Sequence, residues 1–120
     1  MPPKDRIDIR RPLDRPLPEF VAAEFDSYRL AYYALGKYPR VTIWCFKGNV
    51  QVGQIEFREQ SVLGAPLLST VGPVLFYPLE QFNDIITILR YEKPLYLYLW
   101  PNLEQGGVST AEQEPVGEQE

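Results

Sequence analysis

The segment from Val41 to Arg58 restricts the fold more than any other part of the chain. Val41 to Phe46 is β-branched and aromatic, Gly48-Asn49 suits a two-residue type II′ turn, and Val50 to Arg58 can run back as the partner strand. Such a hairpin sets Lys47 opposite Val50, Phe46 opposite Gln51, Cys45 opposite Val52 and Trp44 opposite Gly53. Side chains alternate along a strand with a period of two, so the hairpin has two faces. One carries Val41, Ile43, Cys45, Val50 and Val52 and reads as core. The other carries Arg40, Thr42, Trp44, Phe46, Gln51, Gly53, Ile55 and Phe57, with aromatic rings set between polar groups.

A lone hairpin is only marginally stable in water and needs further strands or a helix on its apolar face. The sequence offers both. Beyond Gly64-Ala65-Pro66, the stretches Leu67 to Val71 and Val74 to Tyr77 read as strands with a bend at Gly72-Pro73. Pro78 suits the first position of a helix, Glu80 favours its positive end, and Phe82, Ile86 and Leu89 form a stripe at i, i+4 and i+7 that stops near Tyr91, before Pro94. Leu95 to Trp100 alternates strictly, leucines on one side and Tyr96, Tyr98 and Trp100 on the other. Between Glu19 and Gly36 the signals conflict. Pro18-Glu19 can open a helix and Gly36 can close one, yet Tyr28 to Leu35 has strand composition; a short helix followed by a strand is the expectation. The expected fold is α+β, a twisted antiparallel sheet of about four to five strands followed by one main helix and a C-terminal strand.

A chain of 120 residues, 45% of them hydrophobic, matches one packed domain. Residues 1–18 hold five prolines, five basic and three acidic side chains and read as an extended, charged arm. Residues 103–120 hold five glutamates and no base and read as a disordered acidic tail. The domain between them, 19–102, is nearly neutral, so it lacks the broad positive field that usually marks a nucleic-acid binder. No apolar run reaches the ~20 residues of a membrane span and no secretory signal is visible, which makes a cytoplasmic location the expectation. Cys45 is the single cysteine and histidine is absent, so intrachain disulfides, the usual zinc sites and histidine acid–base chemistry are excluded. No metal, cofactor or enzymatic activity is expected. Glu56 and Glu59 near Arg58 suggest paired carboxylates for acid–base work, but no pocket or second signal in the sequence supports them.

The order of elements resembles the fold shared by the transcriptional positive-cofactor-four coactivators and the plant Whirly proteins. Gly36-Lys37, Val41-Thr42-Ile43 and Phe46-Lys47-Gly48-Asn49-Val50 are similar to the coactivator's central hairpin without a gap, and Val74 to Phe82 resembles its strand leading into Pro-Glu-Gln-aromatic, with one extra residue. The added strand Leu95 to Trp100 is similar to a small cyanobacterial branch of the same fold, from which no activity follows. The resemblance implies a homodimer, joined through helices or aromatic strand faces, that binds single-stranded DNA or RNA with lysines on phosphates and rings stacked on bases. Stacking of this kind is worth ~1 to 3 kcal/mol per base and tolerates any sequence. Lys37, Phe46 and Lys47 match the family positions. Trp44 stands where the family has an arginine, Asn49 where it has a lysine, and Thr70-Val71-Gly72 replaces its basic stretch, which weakens phosphate affinity.

Lys37, Arg40, Trp44, Phe46 and Lys47 are accordingly the candidate nucleic-acid-binding residues of a weak, non-sequence-specific single-stranded binder with a regulatory role in transcription. The rival is a protein-interaction or structural module on the same fold. In that reading Trp44 and Phe46 pack or meet a second subunit, the lysines are simply solvated, and Tyr96, Tyr98 and Trp100 form an interface.

Overall fold

The computed structural model describes residues 16–34 and 39–110, so most of the expected arm and the end of the expected tail lie outside the described residues. The chain is α+β, with strands β1 (Val21–Phe25), β2 (Ser27–Tyr32), β3 (Val41–Lys47), β4 (Val50–Arg58), β5 (Leu67–Ser69) and β6 (Gly72–Pro78), helix α1 (Phe82–Tyr91), and strands β7 (Leu95–Trp100) and β8 (Gln105–Thr110). Short 3₁₀ turns at Gln60–Val62, Leu79–Gln81 and Pro101–Leu103 join some of them.

The strands form two sheets rather than the single antiparallel sheet expected. One has five strands in the order β2-β3-β4-β6-β5, and the other three in the order β1-β7-β8. Within the larger sheet β4 and β6 run parallel. The chain leaves β4, passes to the outer edge as β5 and returns through a tight turn between Ser69 and Gly72 to lie beside β4. Local patterning cannot distinguish that path from a meander, because the period of two is the same in both.

The hairpin of β3 and β4 starts as the sequence suggests, with Lys47 opposite Val50 and Phe46 opposite Gln51. Gly48 has φ of 62°, as a type II′ turn requires of its first central residue. The register then shifts. A β-bulge leaves Val52 without a counterpart, so Cys45 lies opposite Gly53 and Trp44 opposite Gln54. This corrects the expected faces of β4: Gly53, Ile55 and Phe57 join Val41, Ile43 and Cys45 on the core side, and Ile55 and Phe57 are fully buried there. The bulge packs against a turn far along the chain. Gly72, at φ of 110°, brings its backbone against the Val52 carbonyl, where any Cβ would collide.

The expected short helix after Glu19 is absent. Strands β1 and β2 occupy that stretch, separated only by Asp26, and they belong to different sheets. The Asp26 N–H donates to the Phe46 carbonyl at 2.9 Å and its carboxylate accepts the Gly48 N–H at 3.3 Å, so the corner is tied to the hairpin turn. Extended backbone wins over helix here because β1 has a complete ladder with β7, Val21 opposite Leu99 through Phe25 opposite Leu95. Likewise, residues 105–110, expected within a disordered tail, form a strand because β7 supplies a second free edge.

Both the helix and the smaller sheet cover the same face of the larger sheet. Ile85, Ile86 and Leu89 of α1 and Leu95 and Leu97 of β7 close over Val41, Ile43, Cys45, Ile55, Phe57 and Leu75. Phe82 sets its ring edge-on to Phe57 at 5.2 Å and to Tyr32 at 5.8 Å. The stripe read from the sequence is therefore the packing face of α1, with Ile85 added. Each fully buried leucine of β7 contributes ~1.5 to 3 kcal/mol against its exposed state.

Candidate functional site

Two surfaces carry aromatic side chains, and each follows from strand alternation. On β3, Trp44 and Phe46 point away from the core and are half-buried, with Arg29 and Ser27 of β2 directly opposite them. The Arg29 guanidinium lies 4.9 Å from the centre of the Trp44 ring, a cation–π contact. Gly53 is not beneath Trp44, as the unbulged register would place it; it faces the core, against the Leu97 side chain.

The cations expected beside these rings are engaged with carboxylates. Lys47 pairs with Glu24 of β1 at 2.9 Å, and that hydrogen bond raises the lysine's pKa above its ordinary value. Arg40, just before β3, pairs with Glu59 at 2.8 Å. Lys37 lies outside the described residues. The structure thus brings Trp44 and Phe46 together with Arg29, a residue the sequence did not single out, and sets Arg40 and Lys47 at opposite ends of β3.

Further along the same outward face, the carboxylate pair expected near Arg58 is split. Glu56 is 1% exposed and accepts from Arg58 Nε at 3.1 Å and Nη2 at 2.8 Å, and from Gln54 Nε2 at 2.7 Å. Glu59 is exposed and turned to Arg40. The Arg58 guanidinium also donates to the Val62 carbonyl at 3.2 Å and lies 4.3 Å from the Phe76 ring centre. A carboxylate held this way on a buried strand is a structural clamp for the 59–62 turn. Cys45 is fully buried, and that burial pushes its thiol up to about 12, so it stays protonated and inert across the physiological range.

The second surface is the outward face of the smaller sheet. The register aligns three rows across it: Phe20, Trp100 and Gln105; Ala22, Tyr98 and Gly107; Glu24, Tyr96 and Ser109. Small residues thus flank the middle ring. At Gly107 a Cβ would come within 2.8 Å of the Tyr98 hydroxyl, so glycine lets that ring lie across β8. Phe20 packs on Trp100 at 4.8 Å and Trp100 meets Tyr98 edge-on at 5.2 Å. The outcome is an open groove of about 510 Å³, lined by Phe20, Ala22, Tyr96, Tyr98, Trp100, Ser109 and Thr110, with no charged side chain among them. A second hollow of about 360 Å³ adjoins it, sharing Tyr98 and Trp100 and adding Pro66, Phe76 and Glu104. The sequence pointed to the stripe of Tyr96, Tyr98 and Trp100; it missed Phe20, Ala22 and Ser109, which only the pairing of β1 and β8 with β7 brings alongside.

Among the described residues no group of three or more His, Cys, Asp or Glu side chains is placed to hold a metal ion, and no helix is long and apolar enough to cross a membrane. Comparison with family models, with curated proteins and with solved structures finds no match for this chain.

Proposed function

We propose that this protein is a non-catalytic interaction module, and that the aromatic groove of β1, β7 and β8 receives an extended protein segment. The observation that carries this reading is the groove itself: four flat rings around a floor of small residues, uncharged throughout. Tyrosine and tryptophan supply large contact area with few rotatable bonds, which keeps the entropy cost of docking low. A phosphate backbone is a poorer occupant. The groove's lining holds no cation, and Lys47, near its end row, is held by Glu24.

The nucleic-acid reading retains one supporting observation, the half-buried Trp44 with Arg29 across its ring and Phe46 beside it. In that reading the outward face of β3 stacks on bases, the family-like role of Phe46 and Lys47. One set of titrations separates the two. Peptides selected from a random library on the full chain are expected to lose at least tenfold in affinity on Tyr98→Ala plus Trp100→Ala and to be indifferent to Trp44→Ala plus Phe46→Ala. A single-stranded oligonucleotide that binds at low salt, and is lost with the Trp44 and Phe46 pair instead, would replace the groove by the nucleic-acid reading.

A further inference from the structure

On the reading that the groove of β1, β7 and β8 receives an extended segment, the adjoining hollow selects one of that segment's side chains. The hollow holds about 360 Å³ and draws aromatic residues from both sheets, Phe76 and Tyr77 of β6 and Tyr98 and Trp100 of β7. Its one charged lining residue is Glu104, which is exposed and makes no ion pair among the described residues. Rings beside an unpaired carboxylate suit a cation, which the ring faces attract through their quadrupole and the carboxylate orients by hydrogen bonds.

We propose that the bound segment carries an arginine that enters this hollow and pairs with Glu104. Arginine is favoured over lysine because its planar guanidinium lies flat on a ring, forks onto a carboxylate with two parallel N–H donors and is less strongly hydrated than an ammonium. The protein already sets guanidinium groups on rings, Arg29 at 4.9 Å from the Trp44 centre and Arg58 at 4.3 Å from that of Phe76. Arg58 does not serve Glu104. Its Nε and Nη2 donate to Glu56, and it is not among the residues lining the hollow. Groove and hollow share Tyr98 and Trp100, so one extended segment reaches both, with residues i and i+2 on the same side of the segment ~7 Å apart.

Charge complementarity singles out this side chain. The groove's lining is uncharged, so among the residues lining the two hollows Glu104 alone can match a charge on the segment, and it repels an acidic one. The backbone agrees. Glu104 ends the Pro101–Leu103 turn with φ of 54° and ψ of 43°, a left-handed conformation that glycine adopts readily and residues with a Cβ seldom do. That turn joins β7 to β8, so the connection that closes the smaller sheet also carries the carboxylate beside the Trp100 and Gln105 row. A glutamate kept where glycine fits with less strain points to use of its side chain.

The test uses peptides selected from a random library on the full chain, with binding read by fluorescence anisotropy. Selected sequences are expected to share an arginine two residues from an apolar or aromatic one. Replacing that arginine by citrulline, which keeps the shape and removes the charge, is expected to weaken binding to the native chain about tenfold. Glu104→Gln is expected to bind the two peptides almost equally. Glu104→Gly, which suits the left-handed backbone and so keeps the fold, is expected to lose the same discrimination. Glu104→Arg is expected to prefer a peptide with glutamate in place of the arginine. Peptides that need Tyr98 and Trp100 but treat arginine and citrulline alike would overturn the pairing with Glu104 and leave the groove reading standing. Peptides indifferent to Tyr98 and Trp100, or a chain that selects no peptide and binds only a second copy of itself or nothing, would overturn both.

Discussion

Cys45 shows how a single buried group ties stability to pH. Its thiol is held at about 12 in the folded protein against an ordinary 9.0. Below pH 9 the thiol is protonated whether the chain is folded or not, and it contributes no pH dependence. Between pH 9 and 12 the unfolded thiol ionises while the folded one keeps its proton, so stability falls as pH rises, by up to ~1.4 kcal/mol per pH unit. Tyr77, raised chiefly by burial, adds to the same slope once the pH passes its ordinary value of 10.0. The Lys47 ion pair also weakens in this range, because a lysine pKa raised by its partner contributes stability below 10.5 that is lost as pH passes the folded value. Urea midpoints of the native protein and Cys45→Ala at pH 8 and pH 10.5 isolate the thiol. The variant is expected to lose less stability between the two, and equal losses would show that Cys45 ionises freely.

At the scale of elements, the contact between the β4 bulge and the turn before β6 fixes which side chains β4 turns to the core. Gly72→Ala is expected to destabilise the fold by at least ~2 kcal/mol, since it combines a strained positive φ with a collision against the Val52 carbonyl, which is backbone and cannot rotate aside. Gly48→Ala serves as the comparison: its φ is also positive but no atom lies near its Cβ, so its cost is expected to be the smaller, as chemical denaturation would measure. Elements governed by their own period were readable in advance, including β3, α1 with its Ile86 and Leu89 stripe, and the alternation of β7. The bulge was not, because nothing within β4 announces it; its neighbour Gly72 lies twenty residues away in sequence. Nor were β1 and β8, whose short, mixed sequences become strands only beside β7. The same limit governed the candidate residues. Trp44, Phe46 and the tyrosine stripe announce themselves by type and spacing, whereas the carboxylates that engage Arg40 and Lys47 come from Glu59 and Glu24, distant in sequence and brought near only by the fold.

For the molecule as a whole, the shared core is expected to make the two sheets one cooperative unit. Leu97 of the smaller sheet lies against Gly53 of the larger, and Leu75 faces Gly106 in return. Trp44 reports on one sheet and Trp100 on the other, so unfolding followed in Trp44→Phe and in Trp100→Phe separately is expected to give transitions of the same shape, displaced only by the cost of each substitution. An added early phase seen only through Trp100 would show that the smaller sheet opens by itself.

The topology of that smaller sheet also governs how the protein is made. Phe25 pairs with Leu95, 70 residues later, and at a synthesis rate of ~5 to 20 residues per second β1 waits about 4 to 14 s for its partner. During that interval β2 to β6 have already been synthesised, while β1 has no ladder and its Phe25 lacks the part of the core that Leu95 and Leu97 supply. Nascent chains are therefore expected to present β1 as an unpaired strand until β7 emerges, and a ribosome stalled shortly before Leu95 would hold them in that state.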